Sequence, residues 1–394
     1  MRIIHNVTVL PVSGPAIREG AVALEAGRIV AVGRAPGGDF DSLGLGRAAA
    51  SATLIDGEGG VLTPGLIDAH THLGVSEEAI GPAGDDVNET TSPVTPDLRA
   101  IDGINPEETA LPRALRAGVT AVCVLPGSAN VIGGSGAVIR THGTVVDRML
   151  LRENAGMKAA FGENPKRFYR SKDKAPATRM AIAALYREWL TKARDYDARK
   201  ARAREKGEPV DTDMKLEALL PVVRGEIPLR AHAHRADDIA TAIRIAREFG
   251  LRLVIEHCTE GHKVVDLLLE HGIPAVVGPS MGARGKVELR EKGFETAGVL
   301  ARAGVLVALT TDHGVMHIEH LQVAAALAVK AGMTEEQALA AVTLSPARIL
   351  GLEERLGSID RGKEADLVLW SGDPLDVRSF PRRVWVAGEE VVTA

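Results

Sequence analysis

Four short segments carry residues suited to holding a metal ion: Asp68-Ala69-His70-Thr71-His72, His232-Ala233-His234, Glu256-His257-Cys258 and Thr311-Asp312-His313. Neutral imidazole and carboxylate are the donors that suit zinc and similar borderline cations, and three or more of them around an open position leave room for a water molecule. Alternate residues of a strand face the same way, so His70 and His72 project together and can share one ion. A lone His-x-His arises readily by chance. Four histidine-bearing segments, each closing an apolar run, are poorly explained as core histidines satisfied by their neighbours.

The runs that carry these segments belong to a set of eight: Leu66 to His72, Val119 to Leu125, Val138 to His142, Met157 to Glu163, Leu229 to His234, Arg252 to Cys258, Pro274 to Ser280 and Val305 to Thr311. They alternate with helical stretches, the α/β pattern of a parallel sheet built from βα units, and eight parallel strands close into a (β/α)8, TIM-type barrel. Barrel enzymes place their chemistry at C-terminal strand ends, where all four segments lie. The fourth crossover is elaborated by helical stretches at Ala177 to Lys206 and Met214 to Arg224. Asp237 and Asp238 fall in the first turn of the helix after the fifth run, where carboxylates suit the dipole. Residues 1–62 read as short strands with a turn at Ala26-Gly27. Past a helical stretch at Thr334 to Leu350, residues 357–394 return to strands at Asp366 to Trp370 and Arg383 to Val386. The barrel then spans residues 63–356, and the two end pieces are expected to pair with each other.

Composition narrows the function classes. At 45% hydrophobic and 25% charged the chain is globular, and a net charge of -5 offers no field for a phosphate backbone, so no nucleic-acid partner is expected. The basic run from Lys192 to Lys206 is broken by Asp195, Asp197 and Glu205 and reads as a solvated helix face. Cys123 and Cys258 sit in separate apolar runs, which argues against a disulfide framework and for a reducing, cytoplasmic setting. The start moves directly into a strand pattern with no signal-peptide core, and no apolar stretch reaches the ~20 residues needed to span a bilayer. The expected partner is a small-molecule substrate, with a homo-oligomer, in the simplest case a dimer, as the default assembly.

The stretch Val61-Leu62-Thr63-Pro64-Gly65-Leu66-Ile67-Asp68-Ala69-His70-Thr71-His72 resembles the first-strand motif of the amidohydrolase superfamily. So does Ser345-Pro346-Ala347-Arg348-Ile349-Leu350-Gly351-Leu352, followed by Leu356 to Val368, which is similar to the segment that returns that family's chain to its small β-sandwich domain. The likeness covers nearly the whole chain and is strongest to imidazolonepropionase-related amidohydrolases. It implies that His70, His72 and Asp312 bind a more buried metal and that His232 and His257 bind a second. It also implies a bridging group on the third or fourth strand, either a carboxylated lysine or a glutamate. Alternation puts Lys158, Ala160 and Gly162 on the inner face and sends Met157 and Phe161 towards the helices. Glu163 lies at the strand's C-terminal end, where alternation lapses and a short carboxylate stands at metal height. Glu163 is the preferred bridge, with carboxylated Lys158 as the alternative.

His234 shares the parity of His232 and is expected to touch substrate or serve as a spare ligand. Arg140 and His142 are candidates for a substrate carbonyl or carboxylate, and the Gly/Ser-rich turn from Gly127 to Gly136 for a wall near the ligand. His262, His271, His317 and His320 read as surface or helix-end histidines. The expected activity is metal-dependent hydrolysis of a carbon–nitrogen bond other than a protein peptide bond, in a cyclic amide, an N-acyl amino acid or a small dipeptide. One or two divalent ions, zinc first and iron or manganese next, would activate water as hydroxide, and Asp312 would pass its proton to the leaving nitrogen. Two rivals are a mononuclear deaminase of a small heterocycle and a catalytically silent barrel scaffold. The first lacks its usual glutamate three residues after the fifth-strand histidine, where Arg235 stands; the second is at odds with a filled set of ligand positions.

Overall fold

The computed structural model describes residues 1–393. Ala26 and Gly27, at φ +49° and +80°, close a two-residue hairpin between β2 (Ile17–Glu25) and β3 (Arg28–Arg34). Positive φ at both turn positions gives the twist that antiparallel strands need. Gly27 has a second reason to be glycine: a Cβ there would fall 2.8 Å from the carbonyl oxygen of Ala387, near the other end of the chain. The two ends do pair. One eight-stranded sheet holds β1 (Arg2–Val9), β2, β3, β4 (Thr53–Asp56) and β5 (Val61–Pro64), together with β16 (Leu367–Trp370), β17 (Pro381–Val386) and β18 (Glu389–Thr393). The join is the antiparallel pair β5 and β16, with Pro64 opposite Leu367 and Val61 opposite Trp370. Trp370 and Trp385 are fully buried there, and the indole N–H of Trp370 donates to Thr63 Oγ1 at 2.9 Å.

Between these ends run β6 (Leu66–Thr71), β7 (Val119–Val124), β8 (Ile132–Ser135), β9 (Ala137–Arg140), β10 (Leu150–Arg152), β11 (Met157–Ala160), β12 (Leu229–Ala233), β13 (Leu253–His257), β14 (Ala275–Val277) and β15 (Val307–Leu309). β11 to β15 pair in sequence order, all parallel, and β6 is parallel to β7. The Thr310 hydroxyl donates to His70 O at 2.7 Å and His72 N donates to His313 O at 3.0 Å, which brings the end of β15 back to β6. The third run departs from the expected direction. β8 pairs antiparallel with β11, and β9 antiparallel with β7, so residues 132–140 bridge the two halves of the ring while running against the other strands. An alternating apolar pattern carries no direction, which is why the sequence reads this run as one more parallel strand.

The reversal moves two expected substrate contacts. Thr141 bonds to Thr120 O and Val119 O at the start of β7, so Arg140 and His142 lie towards the base of the ring, and His142 is exposed. Arg140 is wedged between Glu364 and Asp366, with Nε 3.2 Å from Asp366 Oδ2, and joins the ring to the end sheet. Arg140→Ala leaves the buried Asp366 without its cation, while Glu364 keeps Arg355 at 2.7 Å, and is expected to cost roughly 3–5 kcal/mol of stability. Chemical denaturation should show that loss while metal content stays unchanged.

The elaborated fourth crossover contains a 28-residue helix, Arg179–Lys206, capped by the Thr178 hydroxyl and stopped at Gly207 with φ +69°. Its Tyr186 stacks on Phe161 with ring centroids 4.4 Å apart, and its Arg179 pairs with the buried Asp238 of helix Ala236–Phe249 at 2.8 Å. The stretch from 334 to 350 is two helices, Glu335–Ala341 and Leu344–Ile349, broken where Thr343 turns its hydroxyl back to Leu339 O; Pro346 then fits the first turn of the second. A cavity of about 750 Å³ opens at the base of the ring, lined by Pro228, Arg252 and Pro274 ahead of their strands. Arg247 and Arg348 also line it, each in the last turn of a helix, where a cation complements the dipole, and His271 stands at the end of a third. Among the described residues no helix is long and apolar enough to cross a membrane.

Candidate metal centre

Strand ends set the geometry. His257, Cys258 and Asp312 hold φ at +68°, +48° and +52°, a left-handed region that costs non-glycine residues energy and turns their side chains off the strand alternation. Asp312 N–H is tied to Thr310 Oγ1 at 2.9 Å. Below it, Asp68 accepts hydrogen bonds from His70 N, Thr311 N and the Thr311 hydroxyl at 3.0, 2.8 and 2.7 Å, locking β6 to the end of β15. Burial pushes the Asp68 carboxyl up to about 6 in spite of those bonds.

Above this lock the imidazoles converge. His70 Nε2 is 3.0 Å from Lys158 Nζ and 3.5 Å from Asp312 Oδ1, and its Nδ1–H donates to Glu256 Oε2 at 2.7 Å. His72 Nε2 is 3.2 Å from Asp312 Oδ1, and its Nδ1–H donates to Leu125 O at 2.7 Å. His257 donates from Nδ1 to Gly278 O at 2.8 Å, and its ring lies 4.8 Å from that of His70 and 4.4 Å from that of His232. His234 stacks on His257 at 4.8 Å. The donor atoms of His70, His257 and Asp312 lie within 4.8 Å of one another, as do those of His232, His234 and His257. Two triads therefore share His257.

The charges favour a cation. Burial holds His70, His232, His234 and His257 well below the usual histidine range, so they are neutral, the form that offers a lone pair. Burial acts to raise Asp312, but His257, His72 and Lys158 outweigh it and leave the carboxylate ionised below its ordinary range. Burial lowers Lys158 to about 8, with Asp312 and Glu256 opposing. His232 Nδ1 and Asp312 Oδ1 are buried without a hydrogen-bond partner. Leaving such atoms unpaired costs about 1–3 kcal/mol each, and coordination to a divalent cation satisfies each.

A family model described as amidohydrolase family matches residues 61–391. The chain belongs to the amidohydrolase family. The solved structure of an amidohydrolase from Thermotoga maritima MSB8 is 44% identical, with a TM-score of 0.94 and 100% of both chains covered. Imidazolonepropionase from Aromatoleum aromaticum is 30% identical over 95% of this chain and 93% of its own. Amidohydrolase tasK from Hapsidospora irregularis is 32% identical over 86% of this chain, which spans 37% of that longer protein. This amidohydrolase is accordingly a hydrolase acting on carbon–nitrogen bonds, its neighbours imply a TIM-barrel fold, and divalent metal binding is characteristic of its family.

The two groups offered as a bridge lie apart in this amidohydrolase. Lys158 is fully buried beside His70, in register with Gly134 of β8, and a Cβ on neighbouring Gly133 would sit 3.6 Å from the lysine Cγ. Glu163, the preferred bridge on sequence, stands outside the cluster. β11 ends at Ala160, Gly162 at φ +81° turns the chain, and Glu163 opens helix Glu163–Arg170, with its carboxylate 3.4 Å from Glu288 N and 3.8 Å from Arg167. The Gly127–Gly136 turn does border the centre: Gly133 and Gly134 adjoin Lys158, and Ser128 Oγ accepts from Asn164 at 2.8 Å. Of the bland histidines, His262 bonds Thr296 and His317 bonds Glu78.

Four residues of the site went unassigned on sequence. Arg230 and Glu256 form a fully buried ion pair beneath His70, and Arg230 also donates to Ala69 O at 2.7 Å. Both could have been found, since Arg230 shares the parity of His232 and Glu256 is a charge inside an apolar run. Asn164 sits in the first turn of helix Glu163–Arg170 and Glu288 in the single 3-10 turn Val287–Leu289, and neither carries such a periodic signal.

Proposed function

We propose that this amidohydrolase hydrolyses a carbon–nitrogen bond other than a protein peptide bond in a small molecule, using two divalent cations, zinc foremost. His70, His72 and Asp312 would hold one and His232 and His257 the other, and Lys158, as its carboxylate adduct, would supply oxygens to the pair. The observation that carries the reading is the gathering of four neutral imidazoles and one ionised aspartate around a buried lysine, with His232 Nδ1 and Asp312 Oδ1 unpartnered. Divalent cations there supply Lewis acidity and bring the pKa of water from 15.7 to about 7. Asp312 takes the proton of the attacking water on its carboxylate and returns it to the leaving nitrogen. Glu256, itself held by Arg230, fixes the His70 ring so that Nε2 faces inward. The neutral Lys158 amine adds to carbon dioxide and releases one proton, which gives the bridge its two oxygens. His234 lines the substrate side. Cyclic amides come first among substrates, supported by the imidazolonepropionase relative, followed by N-acyl amino acids and small dipeptides.

Elemental analysis of purified protein is expected to find between one and two equivalents of zinc, iron or manganese, and the metal-loaded form to hydrolyse a member of a cyclic-amide, N-acyl amino acid and dipeptide panel. Protein without metal after reconstitution would sink the reading. His72→Ala should lower metal content with little change in the melting midpoint, since one ligand does not carry a core of this size. Unfolding of that variant would make the histidine structural.

A further inference from the structure

His232 is the exception among the histidines of the centre. The others each have a partner for Nδ1: Glu256 for His70 at 2.7 Å, Leu125 O for His72 at 2.7 Å, Gly278 O for His257 at 2.8 Å and the Thr259 hydroxyl for His234 at 2.7 Å. In His232 it is Nδ1 that is buried and unpartnered, while Nε2 faces Asn164 and Glu288. For Nδ1 to donate to a cation it must be bare, so Nε2 carries the proton and needs an acceptor. Asn164 does not provide one: its NH2, 3.3 Å from Nε2, donates to the bare form of that nitrogen and so opposes a proton there unless a carboxylate accepts it. Lys286 Nζ donates to its Oδ1 at 2.5 Å, which holds the amide with its NH2 towards Ser128 at 2.8 Å and His232 at 3.3 Å.

The acceptor that remains is Glu288 Oε1, 3.7 Å from His232 Nε2, on a side chain 1% exposed, and itself without a hydrogen-bond partner. The other oxygen, Oε2, accepts from Glu163 N at 2.9 Å and fixes the side chain. Gly162 makes room for it, since a Cβ there would fall 3.1 Å from Glu288 Oε2. Oε1 is also 3.8 Å from His234 Nε2, but the Thr259 hydroxyl can donate or accept, so either tautomer of His234 is already served. Lys286 Nζ is 3.7 Å from the same oxygen but already donates to Asn164 Oδ1; among the histidines only His232 requires the carboxylate.

We propose that Glu288 is a positioning residue whose Oε1 takes the Nε2–H of His232 and so fixes the tautomer that points a bare Nδ1 at a cation. Lys286, two residues earlier, completes the device by denying His232 the Asn164 oxygen. The inference rests on the two-cation reading above. Removing the carboxylate partner of a ligating histidine weakens metal binding about 10–100-fold.

The test is zinc titration of metal-free wild type and Glu288→Gln protein against a chromophoric chelator, with the melting midpoint of each metal-free protein measured alongside. Gln keeps an oxygen for Glu163 N–H and turns its NH2 to His232. One of the two zinc equivalents should weaken about 10–100-fold and the other stay unchanged. The metal-free midpoint should not fall, because a buried charge has been removed. Unchanged affinity for both equivalents overturns the inference and leaves the metal centre standing. Equal weakening of both with a lowered midpoint also overturns it, marking a structural residue. Wild-type protein that takes up no zinc overturns the metal-centre reading itself. Should Glu288→Gln not fold, Glu288→Asp withdraws the carboxylate by one methylene, and the same one-site loss is expected.

Discussion

Asp312→Asn is expected to lower kcat/KM by about 10²- to 10⁴-fold, the range attributed to a positioned acid or base, while keeping part of the metal. The side-chain amide preserves the volume and one oxygen donor, and the backbone N–H of residue 312 still donates to Thr310 Oγ1. The charge is lost. Neighbouring His257, His72 and Lys158 hold wild-type Asp312 ionised below the ordinary carboxylate range, so the wild-type acid limb should fall at low pH and be absent from the variant's profile. Metal analysis and the pH dependence of kcat/KM, measured side by side, separate ligation from proton transfer. A variant of near wild-type activity would remove Asp312 from both roles and move proton transfer to His257 or His234.

Lys158→Ala carries the second large effect. Without the amine no bridge forms, and loss of a group worth several kcal/mol to a cation-assisted step lowers turnover by at least ~10²-fold. A short carboxylate such as formate or acetate, entering the space left by the side chain, should restore part of both the second metal and the activity. Failure of any carboxylate to rescue, with full metal retained, would exclude the bridge. The wild type offers a matching pH test. With its pKa lowered to about 8 by burial, Lys158 is neutral in roughly 10% of molecules at pH 7 and roughly 90% at pH 9, so at fixed dissolved carbon dioxide reconstitution should quicken as pH rises between them.

Much of this centre is legible in the chain because strand parity is a two-state variable. It sends Phe161 out to stack on Tyr186 and Lys158 in to meet His70, as the spacing requires. The same rule stops at Gly162, whose positive φ takes Glu163 off the strand, and there the preference for Glu163 as bridge parts from the structure. Direction is a separate matter. Nothing in the pattern Val138 to His142 distinguishes a parallel run from an antiparallel one, so the spacing offers Arg140 and His142 as substrate contacts although Arg140 serves the base. Glu288 is beyond sequence reasoning for another reason: it meets His232 only through the path of a loop, and loops have no period to read.

The end sheet bears on how the chain is made. The partner of β5 is β16, and Pro64 and Leu367 are separated by about 300 residues, which a ribosome adds in roughly 15–60 s at ~5–20 residues per second. For that interval β5 presents a bare edge, the kind of template on which other chains add. Non-local pairing of this sort also slows refolding, because loop closure must precede the contacts that reward it. Nascent protein should therefore lean on chaperones late in synthesis, and refolding yield should fall steeply with protein concentration even though the finished sheet buries Trp370 and Trp385.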